Sequence, residues 1–202
     1  MQKKILIIPS IFFFLLLSIF FYLLIIDRNP SEIPSNLINE KVPIFKAESL
    51  FKDEKFVSSN EFKNEITLVN FFATWCKPCR DEHVYIKRFA NEKNLKVIGV
   101  NYRDNPEKTI KWLKDLGNPY KDILIDKNGK IAIEWGVYGL PETFIVNSKG
   151  IIKYRHVGPI TKKIYKKINL IIPIELTINV SGIPYTPHSI AIFPFLSIGI
   201  SE

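Results

Sequence analysis

The position of its only two cysteines, Cys76 and Cys79, limits what this chain can fold into. They follow Ile66-Thr67-Leu68-Val69-Asn70-Phe71-Phe72-Ala73, a nearly continuous apolar run that predicts a strand covered on both faces. After Thr74-Trp75-Cys76-Lys77-Pro78-Cys79 the pattern predicts a helix from Arg80 to about Asn91, with Val84, Ile86 and Phe89 as candidate core contacts. The pair therefore stands where a buried strand hands over to a helix.

The rest of this region extends the same alternation. Lys96-Val97-Ile98-Gly99-Val100-Asn101 reads as a second buried strand. Asn105 is an N-cap with Pro106 in the first helical position, and Ile110, Trp112, Leu113 and Leu116 precede a stop at Gly117. Ile123-Leu124-Ile125 follows, then a polar turn from Asp126 to Lys130. Thr143-Phe144-Ile145-Val146 and Ile151-Ile152-Lys153-Tyr154-Arg155 flank Asn147-Ser148-Lys149-Gly150 as a hairpin, and Thr161 to Leu170 is a candidate closing helix. An α/β domain with a parallel crossover and a terminal antiparallel hairpin is the thioredoxin architecture, a central mixed sheet flanked by helices. The Cys-x-x-Cys falls where that architecture carries its redox pair.

The neighbours of the pair narrow its chemistry. Covalent haem attachment needs His directly after the second Cys, and position 80 is Arg. Zinc would need two further ligands from His83, His156 or a carboxylate, and no metal or other cofactor is expected. A structural disulfide closing so small a loop adds little stability. Redox exchange is the favoured reading. At the start of a helix, free N–H groups and the positive dipole end favour the Cys76 thiolate, and Lys77 adds positive charge. Cys79, one turn inside, is placed to attack a mixed disulfide on Cys76, and Pro78 stiffens the loop. Trp75 reads equally as core filling or as a shield for the sulfur that packs on a partner.

Ahead of this domain, every residue from Ile5 to Ile26 is apolar, aromatic, Ser or Pro, a run of 22 preceded by Lys3 and Lys4. Residues 1–26 are expected to be a single transmembrane anchor, with the N-terminus cytoplasmic and the bulk of the chain exported. A cleaved signal peptide is the alternative, but the run exceeds the usual apolar core and no small-x-small cleavage site follows it. Residues 27–41 read as an extended linker, and residues 42–170 as the thioredoxin-like domain. The net charge of +8 is spread over that domain with acidic residues interleaved, which favours a solvated surface over a nucleic-acid partner. A hydrophobic fraction of 47% excludes a disordered chain.

Two segments are family-specific. Residues 68–83, from Leu68 through Trp75-Cys76-Lys77-Pro78-Cys79 to His83, and Gly136-Val137-Tyr138-Gly139-Leu140-Pro141-Glu142-Thr143-Phe144 resemble the CcmG/DsbE family, membrane-anchored thioredoxin-like proteins of cytochrome c maturation. Val100-Asn101-Tyr102, Leu116-Gly117-Asn118-Pro119-Tyr120 and Tyr154-Arg155-His156-Val157-Gly158 are similar to it as well. The resemblance covers roughly residues 41–168. It implies a protein of the inner membrane with its redox domain in the periplasm. Such a protein takes electrons from a membrane thiol transporter of the DsbD/CcdA kind and reduces disulfides in apocytochrome c or its thiol-handling partner. It also implies that Leu140-Pro141 is the cis-Pro loop lying against the Cys pair, and that Glu82 and Glu142 are the acidic residues near the active site. Glu82 reads otherwise as an ordinary solvated helix residue. Glu142, next to Pro141, is expected to lie near the Cys76 thiolate and disfavour it. Asn70 stands where ordinary thioredoxin buries an Asp and takes no proton, which leaves Glu82 as the nearest carboxylate for Cys79.

Beyond Leu170 the resemblance ends. Residues 171–202 hold no Lys or Arg and four Pro, an atypical tail whose Pro spacing denies it a membrane span. It reads as a lineage-specific extension or the product of a shifted reading frame. Two other functions fit the same residues: a broader TlpA-like exported reductant, and a non-catalytic module that docks cysteine-containing peptides.

Overall fold

A computed structural model describes residues 2–25, 37–51, 56–92 and 95–181, with side chains described from residue 9 to 22 in the first stretch and as far as 173 in the last. The chain divides into two compact units, Met1–Ile33 and Pro34–Glu202. In the first, the apolar run forms one helix, α1 (Gln2–Ile25), with Pro9 inside it. Among the described residues no helix is long and apolar enough to cross a membrane.

The second unit is built on a seven-stranded sheet. Its strands are β1 (Lys46–Ser49), β2 (Phe56–Ser58), β3 (Ile66–Phe72), β4 (Leu95–Tyr102), β5 (Asp122–Asp126), β6 (Glu142–Val146) and β7 (Ile152–Val157), in the order β2-β1-β5-β4-β3-β6-β7. β3, β4 and β5 run parallel, and the remaining pairs are antiparallel. Helices α2 (Lys77–Ala90) and α3 (Pro106–Leu116) are the crossovers, a short α4 (Lys130–Glu134) follows β5, and α5 (Lys162–Ser181) closes the domain. This is the thioredoxin-like architecture expected from the strand and helix pattern.

All seven residues of β3 are buried, so the strand divides the core by parity. Ile66, Leu68 and Phe72 face one cluster with Ile86 and Phe89 of α2, Trp112 and Leu113 of α3, and Ile168 and Ile172 of α5. Val69 and Phe71 face the other with Ile98, Leu124, Phe144 and Trp135, whose ring lies 5.6 Å from Phe71 and 5.1 Å from Phe144.

The structure differs from the sequence reading in several places. α2 starts at Lys77, three residues before the predicted Arg80, because the cap is Cys76 itself. Val84 points outward, half exposed, rather than into the core. The edge pair β1-β2 and helix α4 are too short to carry a periodicity and were not foreseen. Residues 37–41, assigned to the linker, are tied to the domain: Asn39 N–H donates to Ile152 O at 2.7 Å and Lys41 bridges Ile151. The expected linker from 27 to 36 lies outside the described residues. The closing helix continues past Leu170 to Ser181 through Pro173, with Ile172 buried. The tail beyond Ser181 lies outside the described residues.

Gly99 on β4 pairs with Asn70, and its missing side chain makes room for two rings. A Cβ there would stand 2.8 Å from the Phe72 ring and 3.1 Å from Tyr120, which stack on each other with centroids 4.9 Å apart. Gly99→Ala is expected to overpack this spot and cost about 1–3 kcal/mol. Urea unfolding should register that as a lower midpoint with an unchanged slope.

Candidate active site

Each part of the site follows from a local requirement of the chain. Ala73 ends the buried run, and Cys76 N–H donates to Ala73 O at 3.2 Å, turning the backbone away from the sheet. Asp104, in the loop after β4, holds this turn: its carboxylate accepts from Thr74 N–H and, at 3.0 Å, from the Thr74 hydroxyl. Cys76 then caps α2, its Sγ accepting the Cys79 N–H at 3.2 Å. Pro78 falls in the first helical turn, where a missing N–H goes unused. Cys76 and Cys79 are joined, Sγ to Sγ 2.05 Å, and both are buried.

Trp75 resolves in favour of the surface. It is 61% exposed, with its indole Nε1 donating to Arg103 O at 3.4 Å. Lys77 forms an exposed pair with Asp81 at 3.5 Å, worth little in water.

Glu82 is no solvated helix residue. It is 1% exposed, one turn beyond Cys79 on the buried side of α2. Its Oε1 accepts from Asn70 Nδ2 at 2.8 Å and its Oε2 from the Ile160 N–H at 2.8 Å. Burial raises its pKa from the ordinary 4.5 to about 8, against the lowering effect of those two bonds. Asn70, in place of an acid, therefore serves as the donor to one. Its amide also donates to Thr143 Oγ1 at 3.1 Å and accepts the Tyr120 hydroxyl at 2.8 Å.

Glu142 takes a different place from the one expected. In the β6 register it is paired with Phe71, whereas Thr143 is paired with Asn70, so Glu142 faces the side of the sheet opposite Glu82. Its Oε2 is bound by Arg155 at 2.7 Å, and its Oε1 accepts from Tyr138 N–H at 3.0 Å and Gly139 N–H at 3.2 Å. The charge is compensated by Arg155 of β7, and the bonds to Tyr138 and Gly139 shape the loop. Arg155 also donates to Gly136 O at 2.7 Å and lies 4.9 Å from the Tyr138 ring centre. The loop these groups hold leads into Leu140-Pro141, whose peptide bond is cis, and Leu140 packs on the cluster that contains both cysteines.

A Redoxin family model matches residues 37–168. The DsbE thiol:disulfide interchange protein of Vibrio cholerae is 41% identical over 166 residues, 81% of this chain and 90% of that one. The chain belongs to the Redoxin family, among the DsbE thiol:disulfide interchange proteins. The Escherichia coli K12 DsbE is 37% identical, over 83% of this chain and 92% of its own length. A crystal structure of a putative DsbE from Chlorobium tepidum shares the fold, with a TM-score of 0.61 at 21% identity over 69% of this chain and 97% of that one. This DsbE-type chain is thus a thiol:disulfide oxidoreductase, with Cys76 and Cys79 as its disulfide pair.

Asp104, Tyr120, Thr143 and Arg155 belong to the site and were not singled out from sequence. Tyr120 and Arg155 lie inside the family-like strings, but their partners are 50 and 13 residues away.

A carboxyl whose pKa rises on folding holds its proton more tightly folded than unfolded. Between 4.5 and about 8 the folded state therefore carries the extra proton, and Glu82 makes stability fall as pH rises. The buried His83 and His156, their pKa values lowered by burial, act in the opposite direction. Urea unfolding of the oxidised protein at about pH 5 and about pH 9 should show Glu82→Gln losing less stability than wild type, by a few kcal/mol at most. An identical pH dependence would mean that Glu82 is not held protonated by the fold.

Proposed function

We propose that this chain is a membrane-anchored reductant that acts on disulfides of apocytochrome c, or of its thiol-handling partner, at the periplasmic face of the inner membrane. The observation that carries the reducing direction is Glu82, a buried carboxyl one turn from Cys79 with a pKa near the working pH. As an anion it disfavours a neighbouring thiolate, and a less stable thiolate makes the dithiol a better electron donor.

In this reading Cys76 is the nucleophile. Its thiolate, favoured by the start of α2, attacks a substrate disulfide, forming a mixed disulfide and releasing one substrate thiolate, which takes up a proton. Cys79 then gives its proton to the Glu82 carboxylate and attacks Cys76 Sγ. The second substrate sulfur leaves as a thiolate and takes up a proton from solvent, the Cys76–Cys79 disulfide forms, and Glu82 returns its proton to solvent. Two electrons and two protons pass to the substrate, and a membrane dithiol of the DsbD/CcdA kind restores the pair. Trp75, next to Cys76, and Tyr138, two residues before Leu140-Pro141, are both exposed and so open to an extended peptide docking there.

Cys79→Ser should accumulate a mixed disulfide with a cysteine peptide from an apocytochrome c haem site, and Cys76→Ser should not, as read by mass spectrometry. A reduction potential near the roughly −120 mV of a DsbA-type oxidant would overturn the reductant reading.

The anchor reading rests on α1. Its described side chains from Ile11 to Tyr22 are mostly apolar and exposed, Phe14 at 67% and Tyr22 at 66%. A helix that is apolar all round needs an apolar surrounding, and Lys3 and Lys4 favour a cytoplasmic N-terminus. A reporter active only after export, fused behind Lys41, should give signal, and the protein should resist carbonate extraction. A soluble product beginning near residue 27 would establish a cleaved signal instead.

A further inference from the structure

We propose that Tyr120 is a positioning residue for thiol exchange: its hydroxyl holds the Asn70 side-chain amide in the orientation that turns the NH2 group toward Glu82. The proposal rests on Glu82 as the proton acceptor for Cys79.

Asn70 is buried, and its amide has two orientations of nearly equal shape. In one, Nδ2 donates to Glu82 Oε1 and Thr143 Oγ1 while Oδ1 accepts from Tyr120. In the other, Oδ1 would meet the Glu82 oxygen, repelling a carboxylate but accepting from a protonated carboxyl. Buried polar atoms need partners, so the first orientation requires a donor for Oδ1, and the Tyr120 hydroxyl is that donor. The bonds run one way, from Tyr120 O–H to Asn70 and from Asn70 N–H to Glu82, and each polarises the next. The phenol stays in its donor form, since burial first and Glu82 second raise its pKa well above the usual value.

The chain is shaped to bring Tyr120 there. α3 stops at Gly117, whose φ of +88° turns the backbone, and Asn118 Oδ1 accepts the Tyr120 N–H at 3.0 Å. Phe72 stacks on the ring, and Gly99 leaves room beneath it.

The groups around Glu82 leave this device in charge of its proton. On α2, Cys79 is the reacting thiol, and His83 turns to Gly117 O, its Nε2 at 2.8 Å. β6 contributes Thr143, the segment before α5 contributes the Ile160 N–H, and neither carries charge. On β7, His156 is paired with Thr143 in the register, has its Nε2 3.3 Å from Pro159 O, and is held toward the neutral form by burial.

The test uses the full chain in detergent, oxidised so that the cysteines do not titrate, with carbon-13 in the glutamate carboxyls. The Glu82 signal is identified by its loss in Glu82→Gln. Its midpoint, about 8 in wild type, should rise by about half to one pH unit in Tyr120→Phe, which keeps the ring and its packing. The pH profile for resolution of the mixed disulfide should move the same way. An unchanged Glu82 midpoint in the Phe variant overturns the proposal, since a purely structural Tyr120 predicts that result. In wild type the Asn70 side-chain amide protons should be protected and follow the Glu82 midpoint, so an amide that flips freely overturns it without any variant. If Glu82→Gln leaves the resolution profile unchanged, the proton-acceptor reading falls. If Glu82→Gln alters that profile and Tyr120→Phe does not, only the positioning role of Tyr120 falls.

Discussion

Everything in the site depends on the double burial of β3. With no water on either face, each polar group on that strand must find its partners inside the protein. Asn70 is therefore satisfied by Tyr120, Thr143 and Glu82, drawn from the α3–β5 connection, β6 and α2. The same desolvation holds the Glu82 proton to a pKa of about 8. One physical condition thus organises the polar core and sets the acid beside the disulfide.

The two buried glutamates show how the mode of compensation decides a carboxylate's use. Glu82 receives two neutral N–H donors, which leave its protonation poised. Glu142 receives a guanidinium and two backbone N–H groups, and there its role is to pin the loop before Pro141. The sheet keeps the roles apart by placing the two side chains on opposite faces.

At the start of α2 the cysteine itself replaces the usual oxygen cap. With Cys76 Sγ on the Cys79 N–H, the redox atom sits at the helix dipole, and Asp104 fixes the turn that brings it there. The cap also explains why the helix begins earlier than its apolar periodicity implies: Lys77 and Pro78 have no apolar face to announce it.

The sequence by itself determined the strand and helix order, the cysteine pair at a helix start, the stop at Gly117 and the hairpin at Asn147-Gly150, because each is written in a local pattern of apolar period, cap or turn residue. Glu82 came into view only through the family resemblance and as the carboxylate nearest Cys79 in sequence. Tertiary structure alone decided which sheet face Glu142 occupies, that Arg155 neutralises it, that Trp75 is outside, and that Tyr120 reaches Asn70. Those outcomes hang on the register between strands distant in sequence and on the desolvation their packing creates, and neither has a signature in any short stretch of chain.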